Sequence, residues 1–311
     1  MAGQAVAGAA RAAPALDRQA RIIVGSVPGG GTDLTARLLA EQLRGAYAPQ
    51  VVVENRPGAS TRLGIEAVKA APPDGTTLLV GPVPTMTLFP HVFPKTTRYD
   101  ALVDFIPVTP LGRVGYGWVV RADHPVRDLA GFLAWAKAMG GANFAPPVLG
   151  APQHMIGLAV ARQAGVALTA VSYRGGAAAL QDLLSGQLDS VISHMGDLTG
   201  LIAGGQIRLI AVTATLPAWP EVATLEALGF PGLPQDEAIG LYAPARVPAA
   251  LVAALHAAAV AAVVGPAMRD GLLRIGLTAG SLPQAEFAER IRAEREAWGP
   301  IVRASGFSAD D

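Results

Sequence analysis

Apolar residues recur along this chain with two alternating periods. Residues 21–24 are a short apolar run followed by glycines, and residues 32–44 then place Leu34, Leu38, Leu39 and Leu43 at the spacing of one helix face. Residues 51–54 form a second apolar run, closed by the turn sequence Asn55-Arg56-Pro57-Gly58. A helix is expected over 63–70, a turn at Pro73-Asp74-Gly75 and a third strand over 76–81. Strand, helix, strand, helix, strand at these lengths predicts an α/β chain with a parallel sheet and crossover helices.

After a proline-rich stretch, residues 105–111 and 116–120 are strand-like, and the alternation resumes. Helices are expected over 128–139, 153–163, 177–185 and 198–203. Strands are expected at 143–144, 168–173, 189–193 and 207–213. This renewed series predicts a second lobe. A further strand at 239–243 precedes helices over 249–264, 267–275 and 283–305. The last carries Phe287, Ile291, Trp298 and Ile301 roughly on one stripe, opposite Glu286, Glu289, Arg290 and Glu294, the pattern of a helix packed on a lobe. The run 249–264 is mostly alanine, contains His256 and is too short to span a bilayer of roughly 18–20 residues, so it is read as a buried helix and no membrane span is expected.

Length and charge narrow the function. At 311 residues the chain suits two domains, and its 24 basic and 24 acidic side chains cancel, which disfavours a broad nucleic-acid face. There are no cysteines, so disulfides, thiolate metal sites and cysteine nucleophiles are excluded. The five histidines show no HxxxH or HExxH spacing, and neither a metal nor a cofactor is expected. Residues 1–20 lack the leucine-rich core of a signal peptide, yet Ala-Arg-Ala-Ala-Pro-Ala is similar to the small-residue end of one; the segment is expected to be a disordered N-terminal segment or the remnant of a leader.

Candidate chemistry gathers at helix starts. Between strand and helix lie Ser26, Pro28, Gly29, Gly30, Gly31, Thr32 and Asp33. Free first-turn amides and the helix dipole make such a loop an anion cradle for phosphate or carboxylate, although a plain turn capped by Thr32 fits equally well. The spacing is neither GxGxxG nor GxxxxGK[ST], and Ser26 lacks the GxSxG context. Asp33 suits a first-turn charge better than contact with an anion. A second strand–glycine–helix junction is Tyr173-Arg174-Gly175-Gly176, where Arg174 offers a bidentate guanidinium. A third is Gly150-Ala151-Pro152-Gln153-His154, with His154 a possible donor. Loops after strands two and three add hydroxyls at Ser60, Thr61, Thr85 and Thr87, beyond the carboxyl ends where ligands sit in parallel sheets. No pair of carboxylates and no nucleophile–base order emerges, so binding is favoured over catalysis.

The segments VPGGGTDLTARLLAEQL, VVVENRPGA, LGIEAVKAAPPDGTTLLVG, QHMIG, VSYRGGAAALQDLLSGQLD and IRLIAVTAT follow one another in an order that resembles the substrate-binding receptors of tripartite tricarboxylate transporters, the Bug-type receptors, over about residues 21–307. The resemblance implies a type II periplasmic binding protein fold of two lobes, each a mixed sheet flanked by helices, joined by crossing hinge strands. It places residues 21–118 plus 240–311 in lobe one and 119–239 in lobe two. It also implies export to the periplasm, a small carboxylate ligand and delivery to membrane permease subunits, with a ligand-sensing role in signalling as the variant seen in some members. Where the family has PFPPGGxxD, this chain keeps Pro28, Gly29, Gly30 and Asp33 but reads Gly25-Ser26-Val27; where it has GGNIG, this chain reads Ser60-Thr61-Arg62-Leu63-Gly64, with Arg62 in reach of an anion. Phe89 departs from a usual asparagine. Gln153 and His154 match the QH pair, and Tyr173, Arg174 and Gly175 match YKG with arginine for lysine. Ser193, followed by His194, stands where many members carry an aspartate for a ligand amine, which disfavours an amino-acid ligand and leaves a plain mono-, di- or tricarboxylate, with helix starts facing each other across the cleft suiting a dicarboxylate better than a monocarboxylate. A hydrolase or transferase using Ser26 is the rival reading and needs a base beside that hydroxyl. The effector half of a transcription regulator needs an N-terminal helix-turn-helix for which there is little room.

Overall fold

The computed structural model describes residues 15–173 and 175–309. Its elements run β1 (Ala20–Val24), α1 (Gly31–Leu43), β2 (Val51–Asn55), α2 (Arg62–Lys69), β3 (Thr77–Pro82), α3 (Pro84–Thr87), α4 (Phe89–Val92) and β4 (Phe105–Arg121). Then come α5 (Leu129–Ala138), β5 (Ala142–Ala145), α6 (Pro152–Ala164), β6 (Leu168–Ala170), α7 (Gly176–Leu184), β7 (Ser190–His194), α8 (Met195–Ala203) and β8 (Ile207–Val212). The chain ends with β9 (Asp236–Pro244), α9 (Ala249–Val264), α10 (Pro266–Arg274), β10 (Thr278–Ala279) and α11 (Gln284–Ser305).

β1 lies between β2 and β3, all parallel, as the first five units predict. β9 then pairs antiparallel with β3 and with β4, and β10 closes on β4. The two strand-like runs around residue 113 are one strand of 17 residues. Its prolines at 107 and 110 fall where the register with β9 shifts, the irregular positions at which a strand tolerates a missing N–H. The pairing partner changes at the middle of β4. Up to Gly115 it pairs with β9, and from Tyr116 onward with β7 and β8. β5 and β6 extend that second sheet in parallel. Two mixed sheets with helices on their faces are thus joined through β4, a two-lobe binding-protein fold.

Each lobe has its own core. Ile22, Val24, Leu39, Leu43, Leu78, Val80 and the buried side of α9 fill the first; Trp118, Phe132, Phe144, Ile156 and Val160 anchor the second. No single helix among the described residues is long and apolar enough to cross a membrane. A further cluster joins the lobes: Leu88 and Val92 from the first, Met155 from α6, and Trp298 and Val302 from α11. α11 is therefore a strap across both lobes rather than a helix on one. The stretch read as a proline-rich loop contains the short helices α3 and α4, whose prolines at the first turn cost no helix hydrogen bond. Part of the segment expected to be disordered belongs to the core. Leu16 is buried with its N–H on the Tyr47 carbonyl, and Ala20 opens β1. Residues 1–14 lie outside the described residues.

Candidate functional site

The loops that follow β1, β2 and β3 meet on the side of lobe one that faces lobe two. Gly25 makes this junction possible, because a Cβ there would come within 2.5 Å of the Thr61 carbonyl. Gly64 is under the same constraint, 2.8 Å from the Gly25 Cα. The start of α2 is thereby pressed against the loop after β1.

The glycine loop is organised by its own aspartate. Asp33 is buried and accepts from the Gly29 N–H (2.9 Å), Arg37 Nε (2.9 Å) and Asn55 Nδ2 (2.8 Å). Burial opposes its charge, but these donors win and hold the carboxyl below its usual range. Asp33 thus shapes the loop and is spent on it. The helix cap is also displaced from the expected Thr32: Gly30 is the N-cap and no side chain caps the helix. Pro28 and Gly29 form an exposed turn, with Gly29 at φ 87°. Gly31 and Thr32 border an interlobe cavity of about 390 Å³ together with His194, Asp197, Glu237 and Arg274.

A second cavity, of about 310 Å³, lies beside the first and shares His194 and Glu237 with it. Its lobe-one wall includes Ser60, Thr61, Thr85 and Phe89, and its lobe-two wall is the 147–152 loop and Gln153. The turn into α2 is strained. Ala59, Ser60 and Thr61 hold φ of 46°, 52° and 77°, a left-handed run that costs a non-glycine residue roughly 1–2 kcal/mol each. The Thr61 and Ser26 hydroxyl oxygens are buried with no hydrogen-bond partner among the described residues. Such strain persists only where the surrounding structure over-determines it, and it clusters at ligand clamps. Thr61→Gly is expected to raise stability by about 0.5–1 kcal/mol, since relief of the left-handed cost exceeds the added chain entropy. It is expected to weaken ligand binding at the same time; paired melting and titration curves check both.

Among the described residues no base is hydrogen-bonded to the Ser26 hydroxyl, which a hydrolase or transferase reading would need. Arg62 is 8% exposed, and its guanidinium lies 4.0 Å from the Phe93 ring centroid, behind the cavity wall rather than on it; its Nη1 has no partner. Thr85 donates to the Pro82 carbonyl at 2.7 Å and presents only acceptor lone pairs to the cavity.

Lobe two departs further from expectation. His154 is buried and accepts from the Gly150 N–H at 3.0 Å, with Phe307 edge-on at 4.7 Å. Burial pushes its pKa down to about 4, so it is neutral, and its Nδ1 is engaged by the loop. The Tyr173 hydroxyl donates to Asp182 at 2.6 Å, and the Gly175 N–H goes to the Pro147 carbonyl. The start of α7 is not open to an anion either, because Ser193 donates to Asp197 at 2.7 Å and that carboxylate lies against Gly176. The acidic group absent at 193 thus returns one turn later. Arg174 lies outside the described residues.

Sequence reasoning missed the cleft floor. Glu237, at the start of β9, accepts from the Tyr116 hydroxyl at 2.9 Å and lies 3.1 Å from His194 Nε2, which is 3.3 Å from the Gln153 amide. The residues come from β4, β9, β7 and α6, and no local motif links them. Burial would neutralise both charges, but each stabilises the other: His194 is raised and Glu237 lowered from their ordinary values. The histidine's share of stability is complete below its ordinary 6.5 and is lost as pH rises through the raised value. The glutamate's share is present above 4.5 and is lost as pH falls through the lowered one. An NMR titration should place His194 above 6.5 in the parent and lower in Glu237→Gln. That variant should also lose about 1–2 kcal/mol at pH 6. Equal midpoints in the two proteins would refute the pairing.

Known proteins with this arrangement are binding proteins. Residues 35–307 match the family described as tripartite tricarboxylate transporter family receptor. A Pseudomonas sp. strain P51 protein described by its place in the tcbD-tcbE intergenic region is 32% identical over 280 residues, 88% of this chain and 82% of that protein. MatC from Rhodopseudomonas palustris, solved with bound malate, is 28% identical with a TM-score of 0.76, over 92% of this chain and 99% of that one. An R. palustris protein solved with adipate is 27% identical with a TM-score of 0.79, over 94% and 98%. The family is one of solute-binding receptors and not of enzymes, as in a TctC solute-binding protein from Polaromonas that is 25% identical with a TM-score of 0.80, over 92% of this chain and 98% of that one. This chain belongs to the tripartite tricarboxylate transporter receptor family.

Proposed function

We propose that the chain captures a small carboxylate between its lobes in the periplasm and delivers it to the membrane subunits of a tripartite transporter. The observation that carries this reading is the strained Ser60–Thr61 turn, which holds an unpartnered hydroxyl against an interlobe cavity faced by Gln153. Hydroxyl donors of that kind suit a carboxylate and cost no charge when the site is empty. The malate and adipate held by two neighbours support the same ligand class.

In this account the acid docks on lobe one, at Ser60 and Thr61, with Gly31 and Thr32 bordering the adjoining chamber. Lobe two then closes the 147–152 loop and Gln153 over it. The lobes divide close to the expected 118 and 239: they hinge where β4 changes partner at Gly115–Tyr116, which leaves Trp118 with lobe two. Only the closed form makes both sets of contacts, so ligand shifts the population toward it. Isothermal titration of the chain against mono-, di- and tricarboxylates, with sugars and amino acids as controls, tests the reading. Saturable binding of at least one plain carboxylate is expected. Silence across the acids with tight binding of a sugar would refute it, and Asp197 makes amino acids the control to watch.

A further inference from the structure

Resting on the carboxylate reading, we infer that the acid preferred by this chain has one charged head and an apolar, ring-sized body, as an aromatic monocarboxylate does. The body of the 310 Å³ cavity is lined by Phe89, Phe93, Pro84, Pro147, Val148 and Leu149. Phe89 and Phe93 meet edge to face with centroids 5.1 Å apart, a pair to which a third ring adds by the same geometry. Across the cavity, Val148 is 51% exposed, an apolar side chain held at the opening with nothing covering half of it.

The polar members of the wall are Ser60, Thr61, Thr85, Gln153, His194 and Glu237. Ser60 and Thr61 come from lobe one, and behind them lies the buried Arg62, whose Nη1 has no hydrogen-bond partner among the described residues. This corner offers hydroxyl donors and a nearby positive charge to one carboxylate. The charged members of the wall are His194 and Glu237, and these are paired with one another at 3.1 Å. Among the described residues no lysine or arginine lines the cavity. A second carboxylate on the ligand would meet phenylalanine and proline, or the Glu237 carboxylate whose histidine is already engaged, and would be desolvated there. A ring there loses nothing and buries its faces.

The test uses the full chain and two variants in isothermal titration with benzoate, phenylacetate, malate and adipate. The parent is expected to bind benzoate or phenylacetate at least tenfold more tightly than malate or adipate. Phe89→Asn is expected to weaken the aromatic acids tenfold or more while leaving the weaker diacids within about threefold. Because Phe89 is half-buried, Val148→Asp provides a second arm at an exposed position. It should keep the parent's melting temperature and weaken benzoate by a comparable factor through charge and lost apolar contact. Tighter binding of malate or adipate than of either aromatic acid overturns this inference and leaves the carboxylate reading standing. Unchanged benzoate affinity in both variants also overturns it. Failure of all four acids to bind overturns this inference, and the carboxylate reading falls with it only if the wider panel of acids is silent too.

Discussion

Trp298→Ala is expected to cost about 4 kcal/mol of unfolding free energy, the upper range for deleting a fully buried tryptophan. Trp298 has no exposed surface and sits in the cluster formed with Leu88, Val92, Met155 and Val302. These residues come from α4, α6, α11 and the junction between α3 and α4, so the indole is packed by both lobes at once. Its loss opens a cavity where the strap crosses the lobes, and neighbours held by two separate sheets cannot easily collapse into it. Urea denaturation at neutral pH checks the value. A cost below about 1 kcal/mol would mean that α11 does not tie the lobes together.

Glu294→Gln is expected to stabilise the protein at pH 8 and to do almost nothing at pH 5. Burial, above all, pushes the Glu294 carboxyl up to about 7, against the Thr87 hydroxyl that donates to it at 2.9 Å and against Arg290. A carboxyl whose pKa is raised on folding contributes stability that is complete below its ordinary 4.5 and lost as pH rises through about 7. At pH 8 the parent carries a buried charge that costs about 3 kcal/mol, at roughly 1.4 kcal/mol for every tenfold weakening of the acid. The amide keeps a hydrogen bond to Thr87 and carries no charge. Denaturation midpoints of both proteins at pH 5 and pH 8 give the answer; a parent that gains stability relative to the variant on the alkaline side would contradict it.

Much of the fold is legible because periodicity is local. The alternation of apolar runs and 3.6-residue stripes places β1 to β3 and their crossover helices, and the C-terminal stripe of Phe287, Ile291 and Trp298 is indeed packed inward. The long strand β4 escapes such a reading because Pro107, Pro110 and the glycines break its pattern. Its continuity depends on β9, more than a hundred residues away in sequence. Strap-like packing of α11 is likewise invisible, since a helix stripe says that a face is buried and not against what.

The candidate site divides along the same line. Ser60, Thr61, Thr85 and Gln153 are readable as residues after strands or at a helix start, and all line the second cavity. Asp33, His154, Tyr173 and Ser193 are readable in the same way, yet their polar atoms are engaged within the protein. Sequence position marks where a polar group sits and cannot say whether a neighbour has already satisfied it. The His194–Glu237–Tyr116 floor joins three segments far apart in the chain and carries no motif at all. The glycine loop keeps its place at the cleft, but the strongest features of a binding surface lie one loop over, at Ser60 and Thr61.

A crystal structure of the chain with the tightest-binding acid of the titration panel tests the central claim most directly. The account predicts the carboxylate within hydrogen-bond distance of the Thr61 hydroxyl and enclosed from the other side by Gln153 and the 147–152 loop. An acid bound outside the interlobe cleft, or held there with Ser60 and Thr61 untouched, would contradict it.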